Sequence, residues 1–141
     1  VHRHHVPERA KLRVGALAHP LLPYWPTDLS AEKRLVTGRR YMDFSIRQLA
    51  WQFDQLDVSR GEVHVKVFGG TEVVGIGAAA KPAIGKLNSE AAIAVLEAEG
   101  SKIIASTLGG NLGRQLLFHT GTGEVALRWL GKTRAEDVID E

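Results

Sequence analysis

Cysteine is absent from all 141 residues. That excludes a disulfide framework and any thiolate-bound metal site. Aromatic residues make up only 6% of the chain, so aliphatic side chains must supply most of the core. No apolar run approaches the roughly 20 residues that a membrane helix needs, and no stretch has the anatomy of a signal peptide. The expectation is a cytoplasmic protein with no membrane insertion. Charge of one sign is also lacking, because Lys+Arg 18 stands against Asp+Glu 16 for a net charge of +2. The densest basic stretch, Lys33, Arg34, Arg39 and Arg40, is broken by Leu35-Val36-Thr37-Gly38 and reads as a solvated loop. A phosphate-tracking surface, and with it a nucleic-acid partner, is not expected.

Hydrophobic residues reach 44%, enough for one compact domain over 1–141. There are 15 glycines, most of them after Gly61, which indicates tight turns between short elements. Residues 1–13 read as a polar loop or hairpin. Leu12, Val14, Ala16 and Ala18 alternate and predict a strand. Pro20, Pro23 and Pro26 stop it, and Pro23 to Gly38 reads as a long connection. Met42, Ile46, Leu49, Phe53 and Leu56 recur at helical spacing, with Asp43, Arg47 and Asp54 off that apolar face, and predict an amphipathic helix over Arg40 to Leu56. Val63 to Phe68 alternates as a strand. A second helix is expected from about Glu90 to Glu99, capped by Asn88 or Ser89 and closed by Gly100, with Ala92, Ile93, Val95 and Leu96 inward. Lys102 to Ser106 reads as a strand. Arg114–His119 and Glu124–Leu130 read as a hairpin around Thr120-Gly121-Thr122-Gly123. The tail, 132–141, is charged and expected to fray. Helices and strands do not alternate regularly, so the expected class is a layered α/β sandwich on mixed sheets.

Among ionisable residues, His19 stands out. It ends a predicted strand, precedes Pro20 and opens a long loop. An imidazole held there can act as a general base near neutral pH, or can be a histidine hydrogen-bonded at a strand end. His2, His4 and His5 cluster, but only Glu8 is near enough in sequence to extend a ligand set, so no metal is expected. His64 and His119 read as outward-facing strand residues. Gly69-Gly70 and Gly109-Gly110 each follow a predicted strand. They can line a peptide-binding cleft, offer N–H groups to an oxyanion, or simply make turns. No Gly-Lys-Ser/Thr follows Gly85 and no dinucleotide fingerprint opens a helix, so no cofactor is expected.

Taken together, several segments resemble the CheD family in order. Val14-Gly15-Ala16-Leu17-Ala18-His19 with Leu22-Pro23 resembles its Gly-Gly-Met-Ala-His…Leu-Pro segment. Arg40-Tyr41-Met42-Asp43 resembles the start of its first helix, and Lys66-Val67-Phe68-Gly69-Gly70 its Lys-Leu-Phe-Gly-Gly strand end. Ile84-Gly85 with Asn88 resembles its Ile-Gly-x-x-Asn helix start. Leu108-Gly109-Gly110, Gly113-Arg114, Phe118 and Thr122-Gly123-Glu124-Val125 resemble its C-terminal block. The resemblance implies an α/β sandwich related to bacterial toxin deamidases. It implies hydrolysis of glutamine side-chain amides on methyl-accepting chemotaxis receptors, and a CheC-type phosphatase as partner. It also implies a Cys, His and Thr catalytic set, in which His19 matches the histidine. The family's Cys and Thr lie upstream of the hairpin that leads to this histidine, so one or more N-terminal strands, with the cysteine, are expected just ahead of Val1. Ala16-Leu17 in place of Gly-Met alters the neighbourhood of His19. Two alternatives stand beside the deamidase: a nucleophile-less adaptor that binds chemoreceptors or the phosphatase, and an unrelated sandwich domain.

Overall fold

Ser30 opens the first helix by accepting a hydrogen bond from the Lys33 N–H at 3.5 Å. In the computed structural model, which describes residues 12–72, 84–131 and 139–140 (only the backbone for Leu35, Ile139 and Asp140), this helix is α1, Ala31–Thr37. A 3₁₀ turn, Gly38–Arg40, leads into α2, Met42–Gln55. A second 3₁₀ turn, Arg60–Glu62, is closed by a capping box between Ser59 and Glu62. The chain then forms β1, His64–Gly69, α3, Ile84–Ala98, and β2, Lys102–Leu108. It ends in β3, Arg114–Phe118, β4, Val125–Trp129, and β5, Ile139–Asp140.

β1 and β2 pair in parallel, with α3 as the crossover between them, while β3, β4 and β5 form an antiparallel sheet in that order. The mixed α/β class expected from the sequence is therefore what the chain adopts. The described core centres on α3, where Ala91, Ala92, Val95 and Leu96 are buried, and on Val125 and Leu127 of β4. Small residues at Ala91 and Ala92 let α3 pack closely against α2, whose Ala50 is also buried.

Four local expectations are corrected. Leu12 to Ala18 is not a strand, since a strand exists only through its ladder, and this segment has no backbone partner among the described residues. Its Leu12, Val14 and Leu17 are exposed. The long connection contains α1. The second helix begins at Ile84, not near Glu90, because Asn88 and Ser89 lie inside it. The Ser89 hydroxyl donates to the Gly85 carbonyl at 3.0 Å instead of capping. His119 lies beyond β3, and its Nδ1 accepts from the Thr122 N–H at 3.0 Å.

The close of α3 matches the expectation. Gly100 takes a φ of 70°, Ser101 N–H donates to Leu96 O and Gly100 N–H to Glu97 O, which together form a Schellman end. Residues 1–11 with His2, His4, His5 and Glu8, the segment 73–83, and 132–138 and 141 of the tail lie outside the described residues.

Candidate active site

His19 sits on an irregular segment tied down on both sides. Upstream, Gly15 lies so close to the hairpin that a Cβ there would be 2.8 Å from both the Phe118 ring and the Thr120 carbonyl. Downstream, the N–H groups of Leu21 and Leu22 both donate to Arg40 O at 2.9 Å, and Met42 N–H donates to Leu22 O at 2.7 Å. The Asn88 side-chain amide, from the first turns of α3, donates to Leu21 O at 3.0 Å. Its Oδ1 is buried with no hydrogen-bond partner among the described residues. The imidazole of His19 itself is exposed. The result is an exposed ring on a backbone held by packing at Gly15 and by hydrogen bonds at Leu21 and Leu22.

The loop after His19 is anchored by Asp43, which is only 8% exposed. Its Oδ1 accepts from the Trp25 N–H at 2.9 Å and from the Phe44 N–H at 2.8 Å. Trp25 in turn packs edge-on against Tyr41, with ring centroids 5.0 Å apart. Asp43 therefore joins the Pro-rich loop to the start of α2, where a negative charge is also favoured by the helix dipole.

The glycine pairs leave the C-terminal ends of the parallel strands. All four residues have positive φ: 123° at Gly69, 69° at Gly70, 78° at Gly109 and 76° at Gly110. The structure brings the two pairs together, because Gly109 N–H donates to Gly69 O and Glu72 N–H to Gly110 O, each at 2.9 Å. The C-terminal ends of parallel strands are where open α/β sheets commonly place ligands. Gly70 also meets α3. A Cβ on Gly70 would collide with the Ser89 hydroxyl, and one on Gly85 with the Thr71 carbonyl. His19's loop, held through Asn88, and the Gly70 turn, held against Gly85, thus share one support, the N-terminal end of α3. An open groove of about 360 Å³ is lined by Ser89, Glu90, Ile93, Ala94 and Glu97 of α3 and by Leu108 at the end of β2.

Sequence reasoning missed three residues here. Asn88 looked like a cap, Asp43 like an outward-facing helix residue, and Arg114 like an ordinary strand residue. Instead Arg114 reaches Gly69 O, Gly109 O and Thr71 Oγ1, and burial lowers its pKa from the usual guanidinium value. The Gly113-Arg114 pair directly after a glycine-rich turn was the available signal.

Among the described residues no helix is long and apolar enough to cross a membrane. The sequence model of the family described as CheD chemotactic sensory transduction matches residues 21–129. A protein of Geobacter sulfurreducens named probable chemoreceptor glutamine deamidase CheD 2 is 37% identical over 124 residues, covering 88% of this chain and 72% of that protein. One of Maridesulfovibrio salexigens, named probable chemoreceptor glutamine deamidase CheD, is 33% identical over 124 residues, covering 85% of this chain and 72% of its own. An archaeal protein of the same name, from Archaeoglobus fulgidus, is 29% identical over 119 residues, covering 84% and 72%. With a match that takes in both glycine turns, Asn88 and Arg114, the chain belongs to the CheD family.

Proposed function

We propose that this protein is a chemoreceptor glutamine deamidase in which His19 is the catalytic base. The observation that carries the reading is the exposed imidazole of His19 on an anchored loop that shares the α3 support with the glycine turns. The names of the relatives supply the substrate class, glutamine side chains of chemotaxis receptors. The nucleophile of the reading is a cysteine from a segment ahead of Val1, since none occurs from Val1 to Glu141.

Chemically, a carboxamide is a poor electrophile, so the attacking group must be activated, and in this reading it is a cysteine thiolate. His19 takes the thiol proton as sulfur bonds to the amide carbon. The electron pair of the C=O bond moves to oxygen, and N–H groups stabilise the oxyanion. Collapse breaks the C–N bond, and the imidazolium returns the proton so that ammonia departs and a thioester remains. Water then adds with His19 again as base, the C–S bond breaks, and glutamate and free thiol are released. The turns at Gly69-Gly70 and Gly109-Gly110 line the surface that receives the glutamine-bearing segment. A CheC-type phosphatase is the proposed regulatory partner, and the reading needs no metal or cofactor.

The test is ammonia release from receptor-derived glutamine peptides by the full-length gene product. His19→Ala should lower the rate by at least about 100-fold, as expected for loss of a general base. Equal rates in the two proteins would remove His19 from the mechanism. A second reading follows from the lack of cysteine in these residues, namely an adaptor that binds receptor without hydrolysing it. It predicts peptide binding with no ammonia release.

A further inference from the structure

Arg114 spends its guanidinium inside the fold, and on carbonyls rather than on a carboxylate. Nη1 donates to Gly69 O at 2.9 Å and to Thr71 Oγ1 at 3.1 Å, and Nη2 donates to Gly109 O at 2.6 Å. The guanidinium lies 4.5 Å from the centroid of the Trp129 ring. A residue that served only to pair a charge would be expected beside an acid. Here the cation reaches from the antiparallel sheet into the two turns that leave the parallel pair, and grips one carbonyl from each. Thr71, which accepts from the same fork, donates its own hydroxyl hydrogen to Leu112 O at 3.0 Å.

We propose that Arg114 is a positioning residue that fixes the separation and mutual orientation of the Gly69-Gly70 and Gly109-Gly110 turns, and so shapes the surface on which the glutamine-bearing segment binds. The proposal rests on the deamidase reading for its ligand. Its physical basis is the planar fork of Arg, which holds two acceptors at a set spacing, where a Lys ammonium offers three donors on a flexible stem with no fixed fork. Left-handed glycines offer little resistance to reorientation of their own, because without a Cβ they accept many φ values. Two backbone bonds join the turns directly, Gly109 N–H to Gly69 O and Glu72 N–H to Gly110 O, and Arg114 adds a fork that braces one carbonyl of each turn against the antiparallel sheet. Its action is on binding, through the glycines, and not on proton transfer at His19.

The test compares full-length wild type with Arg114→Lys and Arg114→Met. Peptide affinity is measured by fluorescence anisotropy beside steady-state ammonia release. KM and Kd for the receptor glutamine peptide should rise about tenfold or more in both variants, with kcat within about threefold. The pH profile of kcat should not move. Amide exchange should speed up at Gly69–Glu72 and Gly109–Leu112 while α2 and α3 keep their protection. Unchanged KM and Kd in Arg114→Lys overturn the proposal. So does a uniform loss of protection with apparent kcat falling and KM unchanged, which marks a merely structural residue. If Arg114→Met does not fold, Arg114→Lys decides. Wild type that binds peptide without releasing ammonia sinks the deamidase reading and leaves Kd to judge Arg114. Wild type that binds no peptide overturns both.

Discussion

Asp43 shows how much one side chain can organise. It is a carboxylate nearly removed from water that satisfies two backbone donors, one at the head of α2 and one in the Pro-rich loop. Asp43→Ala leaves both N–H groups without their acceptor and should cost about 2–4 kcal/mol, near the upper end for a buried charged acceptor. Asp43→Asn keeps one carbonyl oxygen for the same donors and should cost less than half as much. Urea denaturation followed by Trp fluorescence reads both, since Trp25 sits on the affected loop. The sequence placed Asp43 at a helix start but on the wrong side of the helix. Periodicity counts apolar residues, and so has no way to see a polar residue whose burial depends on donors arriving from a loop 18 positions earlier.

Single elements bear out the periodic signals and expose where those signals fail. α2 and the hairpin lie close to where the patterns put them, and Gly100 ends α3 by the expected left-handed turn. The start of α3 was misplaced because Asn and Ser are cap formers in general, whereas here Asn88 reaches across the fold to Leu21 O and Ser89 bonds back along its own helix to Gly85 O. The absence of a Leu12–Ala18 strand has a similar origin, since alternation describes a side-chain pattern but not the presence of a pairing edge. The close approach of α3 to the Gly70 turn yields a paired prediction. Gly85→Ala would drive a methyl group into the Thr71 and Gly70 backbone, and should destabilise by about 2–4 kcal/mol or shift α3. Gly61→Ala meets nothing within 4 Å and should change stability by less than about 1 kcal/mol. Thermal melts of the two variants side by side check this.

At the scale of the whole molecule, one ionic chain ties the helices to the entry of β1. Arg60 donates to Asp54 at 2.6 and 3.0 Å, to Ala50 O at 2.9 Å, and to Glu99 O at 3.2 Å. Glu99 also stands 3.5 Å from Arg47, which reaches Asp43 at 3.7 Å. Arg60→Met should lose about 1–3 kcal/mol, mostly through the lost charge-assisted bonds to Glu99 O and Ala50 O. Arg47→Met should lose under about 1 kcal/mol, because Arg47 is largely exposed. Raising salt should weaken the Arg47 contribution more than that of Arg60, and denaturation at low and high ionic strength measures the difference. None of this network was visible in the sequence. Its members are scattered over 57 positions from Asp43 to Glu99, and each taken alone is an ordinary surface charge. The mixed-sheet class, the helix count apart from α1, and the candidate roles of His19 and the glycine turns could be read from local pattern and motif order. What joins them could not, because it is made by long-range hydrogen bonds.

The pairing of the two parallel strands carries a last implication. Their partners run His64 with Lys102 and Val65 with Ile103, then jump to Lys66 with Ala105, so that Ile104 is one residue more than the ladder uses. That surplus residue advances the rest of β2 by one step, and it is this step that sets Leu108 opposite Gly69, so that Gly109 follows directly at the exit of β1. Were the ladder to run straight through, with Ile104 opposite Lys66, Gly69 would stand opposite Thr107 and the second turn would arrive a residue out of phase with the first. A cleft formed between two loops would then depend on a miscount in the middle of a strand, far from any residue that touches a ligand.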